Sequence, residues 1–584
     1  MKPPRLLADF FRATWYIYLS SISLHAVASI VYVFFPKVLG DFTDRLQAGL
    51  LTGNDIVRYS LLLLAIGVGH AAIGGFGQYL VMYVGRLFEF RTRRKLFVHF
   101  TGLSEHFYSK NGVGKLLSYF MNDVTSVRES ISMGVNQTAM ATMLLLSCLA
   151  AMVTSGIPFY LIAASVGPLF LIPWLVIKFG PAIRRRSLQV QDSLGTMTES
   201  AEEQFGGIRV TKKFAVESVM IERFGATVDA IRDNQLSLVR LSSIFQALIP
   251  FLGSASLVIA LAFGGYLTVT GHITLGNFVA LTLYIRMLMN PLQQIGNVIN
   301  TIQRSRASLQ RLNELLEKEP DIREIEGAKE ILMDEAGIRF KELTFTYPEA
   351  SAPSLHNINI DIEPGMTLGI VGRTGSGKTT LMKLLLRTYN PPEGTVFVGD
   401  TDIHEQSLES LRGGIAYVPQ DGFLFSTTIR ENIAFSRRDA NEREVENAAR
   451  QAQIYNNILA FPQQFETKLG ERGVTLSGGQ RQRTSLARGL IKDAPVMILD
   501  DSVSAVDAVT ETEILNTIQE ERRGKTTIII AHRISAIKHA DLIVVLDGGR
   551  IIQRGTHEEL LEQHGLYATL YAIQEEGSGH AAGH

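Results

Sequence analysis

Eight consecutive residues carry the clearest chemistry in the chain. Gly372, Arg373, Thr374, Gly375, Ser376, Gly377, Lys378 and Thr379 satisfy G-x-x-x-x-G-K-[ST], placed after the apolar run Thr367–Val371 and before a helical pattern from Thr380 to Arg387. Glycines let backbone N–H groups converge on phosphate oxygens, and a helix N-terminus adds positive potential. Lys378 is positioned to reach the β- and γ-phosphates of a nucleotide, and the Thr379 hydroxyl offers an oxygen to Mg²⁺. The candidate nucleotide-binding set therefore runs from Gly372 through Thr380. A second apolar run, Val496–Leu499, ends in Asp500 and Asp501, where a buried parallel strand delivers carboxylates at its C-terminal end. Asp500 is the expected Mg²⁺ ligand, through water. A third, Thr526–Ile530, ends at Ala531 and His532, bringing an imidazole to the same sheet edge.

These runs need an α/β scaffold, and the sequence supplies its rhythm only in the second half. Short apolar strands, turns and amphipathic helices begin near residue 336, after the charged stretch RLNELLEKEPDIREIEGAKE. The first 300 residues read differently. Six apolar stretches long enough to cross a bilayer lie near 14–38, 57–84, 132–154, 158–179, 243–269 and 276–299. The turns at 155–158 and 270–274 hold no Lys or Arg. Arg86, Arg91, Arg93, Arg94 and Lys95 follow the second stretch, and Lys178, Arg184, Arg185 and Arg186 follow the fourth. By the positive-inside rule the long loops and both termini are expected in the cytoplasm. Both long loops have helical periodicity and a glycine break, at Gly112–Gly114 and at Gly206–Gly207, where a short transverse helix fits. Lys2, Arg5 and Arg12 lead into the first stretch without a small-residue cleavage site, so it reads as a retained helix.

Composition agrees with two unlike halves. The chain has 584 residues, too many for one core, with 46% hydrophobic and 19% charged residues. A net charge of -1 gives no reason to expect a nucleic-acid partner. The single cysteine, Cys148, excludes an intrachain disulfide and a Cys-based zinc site. His25, His70 and Arg286 interrupt apolar stretches, where polar groups are expensive. They either line an interior path or pair structurally. The expected organisation is an all-α six-helix transmembrane domain (1–310), a linker (311–336), an α/β P-loop NTPase domain (337–574) and a flexible tail (575–584).

Between the phosphate loop and the Asp strand stands Leu476-Ser477-Gly478-Gly479-Gln480, and with it the chain resembles the ATP-binding cassette (ABC) proteins. That resemblance implies roles for several residues in matching order. Tyr347 takes the place of the adenine-stacking aromatic, and Gln420 is the Q-loop glutamine, a catalytic and metal-contacting position. Gly470–Gly473 is the X-loop, Ser504–Asp507 the D-loop and His532 the switch histidine. The first half is similar to the exporter type, whose coupling helices sit where the two glycine breaks fall. The resemblance implies a dimer that sandwiches two ATP molecules, each held by one phosphate loop and the other subunit's Ser477, Gly478, Gly479 and Gln480.

One position departs from the pattern. The family usually has Glu after the Mg²⁺-binding Asp, and this chain has Asp501. Losing one methylene draws the carboxylate back by about 1.5 Å, and misplacement of about 1 Å costs about a hundredfold in rate. Asp501 is expected to hydrolyse ATP poorly, unless the backbone shifts to compensate. The segment Ile498–Asp507 resembles one subunit of bacterial heterodimeric multidrug exporters. That likeness implies a cytoplasmic-membrane exporter of amphipathic small molecules, completed by a second half-transporter that carries the Glu. A lipid flippase, or a regulatory or channel-like ATP-binding subunit, is the alternative.

Overall fold

The computed structural model describes residues 6–325, 327–330, 337–470, 473, 476–504 and 506–581. It divides into two compact units, Met1–Thr101 with Asn111–Glu319, and Gly102–Lys110 with Pro320–His584.

The first unit is helical throughout. Five helical segments, Leu6–Gln47, Gly53–Thr101, Val113–Thr154, Phe159–Gly206 and Glu217–Val269, are long and apolar enough to cross a membrane. The last helix, Leu275–Leu316, carries the shorter apolar stretch Leu275–Met289 and runs past the expected domain limit at 310. All six expected stretches thus lie on helices, most of which extend well beyond their apolar windows. The third segment starts at Val113, ahead of its apolar stretch and within the loop read as helical, and contains π turns at Tyr119–Asp123 and Ser130–Gly134. Polar residues of such extensions are carried by ion pairs. Glu89 meets Arg86 at 2.8 Å, Arg93 at 2.9 Å and Arg128 at 3.3 Å, and Asp123 accepts from Ser308 and Arg311. Where the first and last helices cross, backbone meets backbone: a Cβ on Gly40 would lie 2.6 Å from the carbonyl oxygen of Gly276. The expected turns fall at Ser155–Pro158 and Thr270–Thr274, the second closed by Thr274, which caps the last helix by accepting from the N–H of Asn277. The apolar core gathers Cys148, Met152, Leu161, Leu169, Ile172, Leu281 and Leu288, so Cys148 is a small buried hydrophobe.

The second unit is an α/β domain with two sheets. Strands β1 (Ile338–Phe345), β2 (Leu355–Ile362), β4 (Val396–Val398) and β5 (Thr401–Asp402) form an antiparallel sheet in the order β2-β1-β4-β5. Strands β3 (Thr367–Gly372), β6 (Ile415–Val418), β7 (Val496–Asp500), β8 (Thr526–Ile530), β9 (Leu542–Asp547) and β10 (Arg550–Gly555) form the other, ordered β10-β9-β3-β8-β7-β6. Strands β9, β3, β8, β7 and β6 run parallel, and β10 pairs antiparallel with β9. Parallel strands are covered on both faces, which is why β7 and β8 are buried at every position and read as unbroken apolar runs. One face meets the antiparallel sheet through Phe340, Leu368, Ile498 and Ile528. The other meets helices through Val418, Leu486, Leu499 and Ile529. Each such side chain stabilises the domain by about 1.5–3 kcal/mol.

Gly102–Lys110, between two membrane-type helices in sequence, packs within this second unit. Glu105 pairs with Lys383 at 2.5 Å and Lys110 with Glu349 at 2.6 Å, while Ser104 donates to Asp321. The helix Glu105–Asn111 stops at Gly112, whose φ of 69° a side chain would resist. The other glycine break yields the helix Ile208–Phe214, entered at Gly207. At the C-terminus, a helix occupies Leu566–Ala581 and so enters the segment read as a tail from 575 onward.

Candidate nucleotide-binding site

The site forms where three parallel strands end. β3 leads into the loop Gly372–Gly377, and the helix Lys378–Leu385 follows at once. It ends earlier than the Arg387 expected, because Arg387 takes a left-handed φ of 47°. Two glycines are required by space. A Cβ on Gly372 would collide with the carbonyl of Leu546, and one on Gly377, at φ 100°, would lie 2.6 Å from the Leu355 side chain. Lys378 folds back over the loop and donates to the carbonyls of Gly372 at 2.8 Å and Arg373 at 3.0 Å. Burial pulls its ammonium below the ordinary value, and the charges of Asp501 and Asp500 pull the other way.

β7 lies two strands from β3 and delivers Asp500. Burial raises its carboxyl above the usual range, against hydrogen bonds from Tyr417 at 3.0 Å and Thr379 at 3.3 Å. Asp501 follows at φ 47°; its N–H donates to the Ile530 carbonyl at 2.8 Å, and its own carbonyl accepts from Gln482 at 3.3 Å. Gln420 donates to the Asp501 carboxylate at 3.2 Å. Tyr347 donates to Thr380 at 3.0 Å and stands edge-on to Tyr389.

A cavity of about 430 Å³ is lined by Tyr347, Ser354, the residues from Thr374 to Thr380, Gln420, Asp500, Asp501, Ile530 and His532. The structure therefore brings together the phosphate loop, both aspartates, the Q-loop glutamine, the histidine and the aromatic. Gly372 and Arg373 form the root of the loop behind this wall. Ser376 supports a phosphate ligand, since its hydroxyl is buried and makes no hydrogen bond among the described residues. The hydroxyl of Thr379, the carboxylate of Asp500 and the side-chain oxygen of Gln420 are the hard donors that Mg²⁺ takes.

Ser477, Gly478, Gly479 and Gln480 are not in the cavity wall. They open the helix Gly478–Leu490, where Ser477 caps the Gln480 N–H and Gln480 returns a bond to the Ser477 N–H. Glu471, Arg472 and Ala505, within the X- and D-loops, lie outside the described residues. Sequence reasoning missed Tyr417 and Gln482. Tyr417 is a polar side chain amid the apolar residues of β6, and that pattern was the available signal, whereas Gln482 stands between Arg481 and Arg483 with no such signal.

Comparison with known proteins matches the two halves of the chain to two family patterns. The pattern described as "ABC transporter transmembrane region" matches residues 18–292, and that described as "ABC transporter" matches residues 355–504. The chain is 36% identical over 571 residues to "Probable multidrug resistance ABC transporter ATP-binding/permease protein YheI" of Bacillus subtilis (strain 168), covering 97% of each. It is 33% identical to the "ATP-dependent lipid A-core flippase" of Syntrophus aciditrophicus (strain SB), over 94% of this chain and 89% of the other. Among solved structures, a bacterial Atm1-family ABC exporter with ATP bound superposes with a TM-score of 0.71 at 25% identity, over 97% of this chain and 98% of that one. With a helical membrane region and an ATP-binding domain joined in one polypeptide, the chain belongs to the ABC transporter family, in its exporter arrangement.

Proposed function

We propose that the chain is one half of a dimeric, ATP-driven exporter of amphipathic small molecules across the bacterial cytoplasmic membrane, with a hydrolytically weak ATP site of its own. What supports export is a cavity in the first unit, about 440 Å³, walled by Tyr32, Phe35, Met140 and Met287 with His70 and Arg286. An apolar, aromatic wall with few polar groups suits drug-sized amphiphiles. The observation that carries the weak site is Asp501, whose backbone is held on both sides, by Ile530 and by Gln482, and so has little freedom to advance a short carboxylate.

In this reading ATP is held by its phosphates on the loop N–H groups and Lys378, with Tyr347 against the base. Thr379, Asp500 and Gln420 would hold Mg²⁺, which neutralises developing phosphate charge. His532 faces the terminal phosphate. Ser477 to Gln480 complete the nucleotide bound chiefly by a second, different half-transporter that carries the catalytic Glu, and closure of the cassettes drives alternating access. ATP-driven uptake of a fluorescent amphiphile into inside-out vesicles tests this. Lys378→Ala in the assembled complex is expected to abolish uptake; uptake that persists, or that needs no ATP, refutes the pump. A lipid-flippase reading is favoured by the flippases among the relatives, and lipid translocation in the same vesicles separates the two.

A further inference from the structure

His532 enters the nucleotide cavity from the loop after β8, and two side chains grip that loop from different helices. Gln574, on the helix Leu566–Ala581, donates Nε2 to the carbonyl of His532 at 2.8 Å and accepts the N–H of Ile534 on Oε1 at 2.8 Å. Glu511, on the helix Ala508–Glu521 that Asp507 caps, accepts from Arg533 at 2.6 Å and from Ser535 at 3.2 Å. Four successive residues of the loop are thus tied down.

The two grips differ in kind. Glu511 holds neighbouring side chains, whereas Gln574 holds the backbone of the cavity residue itself. A primary amide is the side-chain group that donates to one carbonyl and accepts from a nearby N–H in the manner of a strand edge. Its helix is anchored independently of this contact. Tyr567 is fully buried, with its hydroxyl 2.7 Å from His557 Nδ1, and its N–H donates to Gln553 at 3.0 Å. Removing the amide therefore frees the His532 backbone without unseating the helix.

We propose that Gln574 is a positioning residue of the ATP site: it sets the backbone of His532 and makes the C-terminal helix a working part of nucleotide retention. The proposal rests on the assignment of His532 to the nucleotide. It is tested in the assembled transporter, in nanodiscs, by the release rate of labelled ATP from this chain's site. Gln574→Ala is expected to speed release about fivefold, the worth of one to two hydrogen bonds. Gln574→Glu keeps the length but sets a carboxylate against the His532 carbonyl, and is expected to speed release at least as much with an unchanged Tm. In a His532→Ala background neither change is expected to add anything, because Gln574 acts through that residue. Equal effects in both backgrounds, or wild-type release in Gln574→Ala and Gln574→Glu while His532→Ala is fast, overturn the proposal. Wild-type release in His532→Ala instead removes the nucleotide assignment of His532, and the proposal with it.

Discussion

Replacing Asp501 by Glu restores the methylene by which this site differs from the usual pattern, and the surroundings determine what that does. Asp501 is buried at 8% exposure, its N–H is bonded to Ile530, its carbonyl to Gln482, and its carboxylate to Gln420. Advancing the backbone by a bond length would break the first two bonds. The missing reach of about 1.5 Å is therefore not recovered by relaxation, and the loss of about a hundredfold corresponds to roughly 2.7 kcal/mol of barrier. Asp501→Glu is expected to raise turnover at this site about a hundredfold, and Asp501→Asn to leave it within about twofold of wild type. In the proposed heterodimer, phosphate release by the purified complex, with the catalytic Glu proposed for the second half-transporter changed to Gln, isolates the site. The φ of 47° charges the longer side chain about 1 kcal/mol, visible as a small fall in Tm. Robust hydrolysis by wild type, abolished by Asp501→Asn, would refute the reasoning, because the short carboxylate would then be a working base.

Three further outcomes follow from single contacts. Tyr417→Phe removes a hydrogen bond that favours the ionised form of Asp500, a group whose pKa burial already raises. Mg²⁺ half-saturation of ATP binding is expected to rise about tenfold, and more steeply at lower pH, where protons compete for a carboxyl now easier to protonate; a pH-independent, unchanged Mg²⁺ requirement contradicts this. Glu105→Lys is expected to lower transport more than ATPase activity by breaking the 2.5 Å pair with Lys383, and the charge-swapped double variant to restore it; the pair is half-exposed, so Tm moves little. Arg286→Gln is expected to alter which amphiphiles are carried, judged by charge, while basal ATPase stays near wild type; an unchanged substrate profile removes Arg286 from the proposed substrate recognition.

Some of this site is written locally in the sequence and some is not, and the division follows the range of the contacts. The loop Gly372–Thr379 is readable because phosphate chemistry and backbone space restrict residue types over a few adjacent positions. The strands ending at Asp500 and His532 are readable because burial on both faces leaves unbroken apolar runs. The membrane-type helices are readable for the same reason, apolar length, and their polar extensions from helical periodicity; what the sequence does not show is the partners of those extensions, such as Glu89 for Arg128, reached only in the fold. Tyr417 meets Asp500 through the pairing of β6 with β7, Gln482 meets Gln420 from another helix, and Gln574 meets His532 from the far end of the chain. No local spacing encodes those registers. Asp501 shows both sides at once. Its short side chain is plain in the sequence, but whether the backbone could compensate depended on Ile530 and Gln482, and the bonds to those two residues are what turn a departure from pattern into an expected loss of rate.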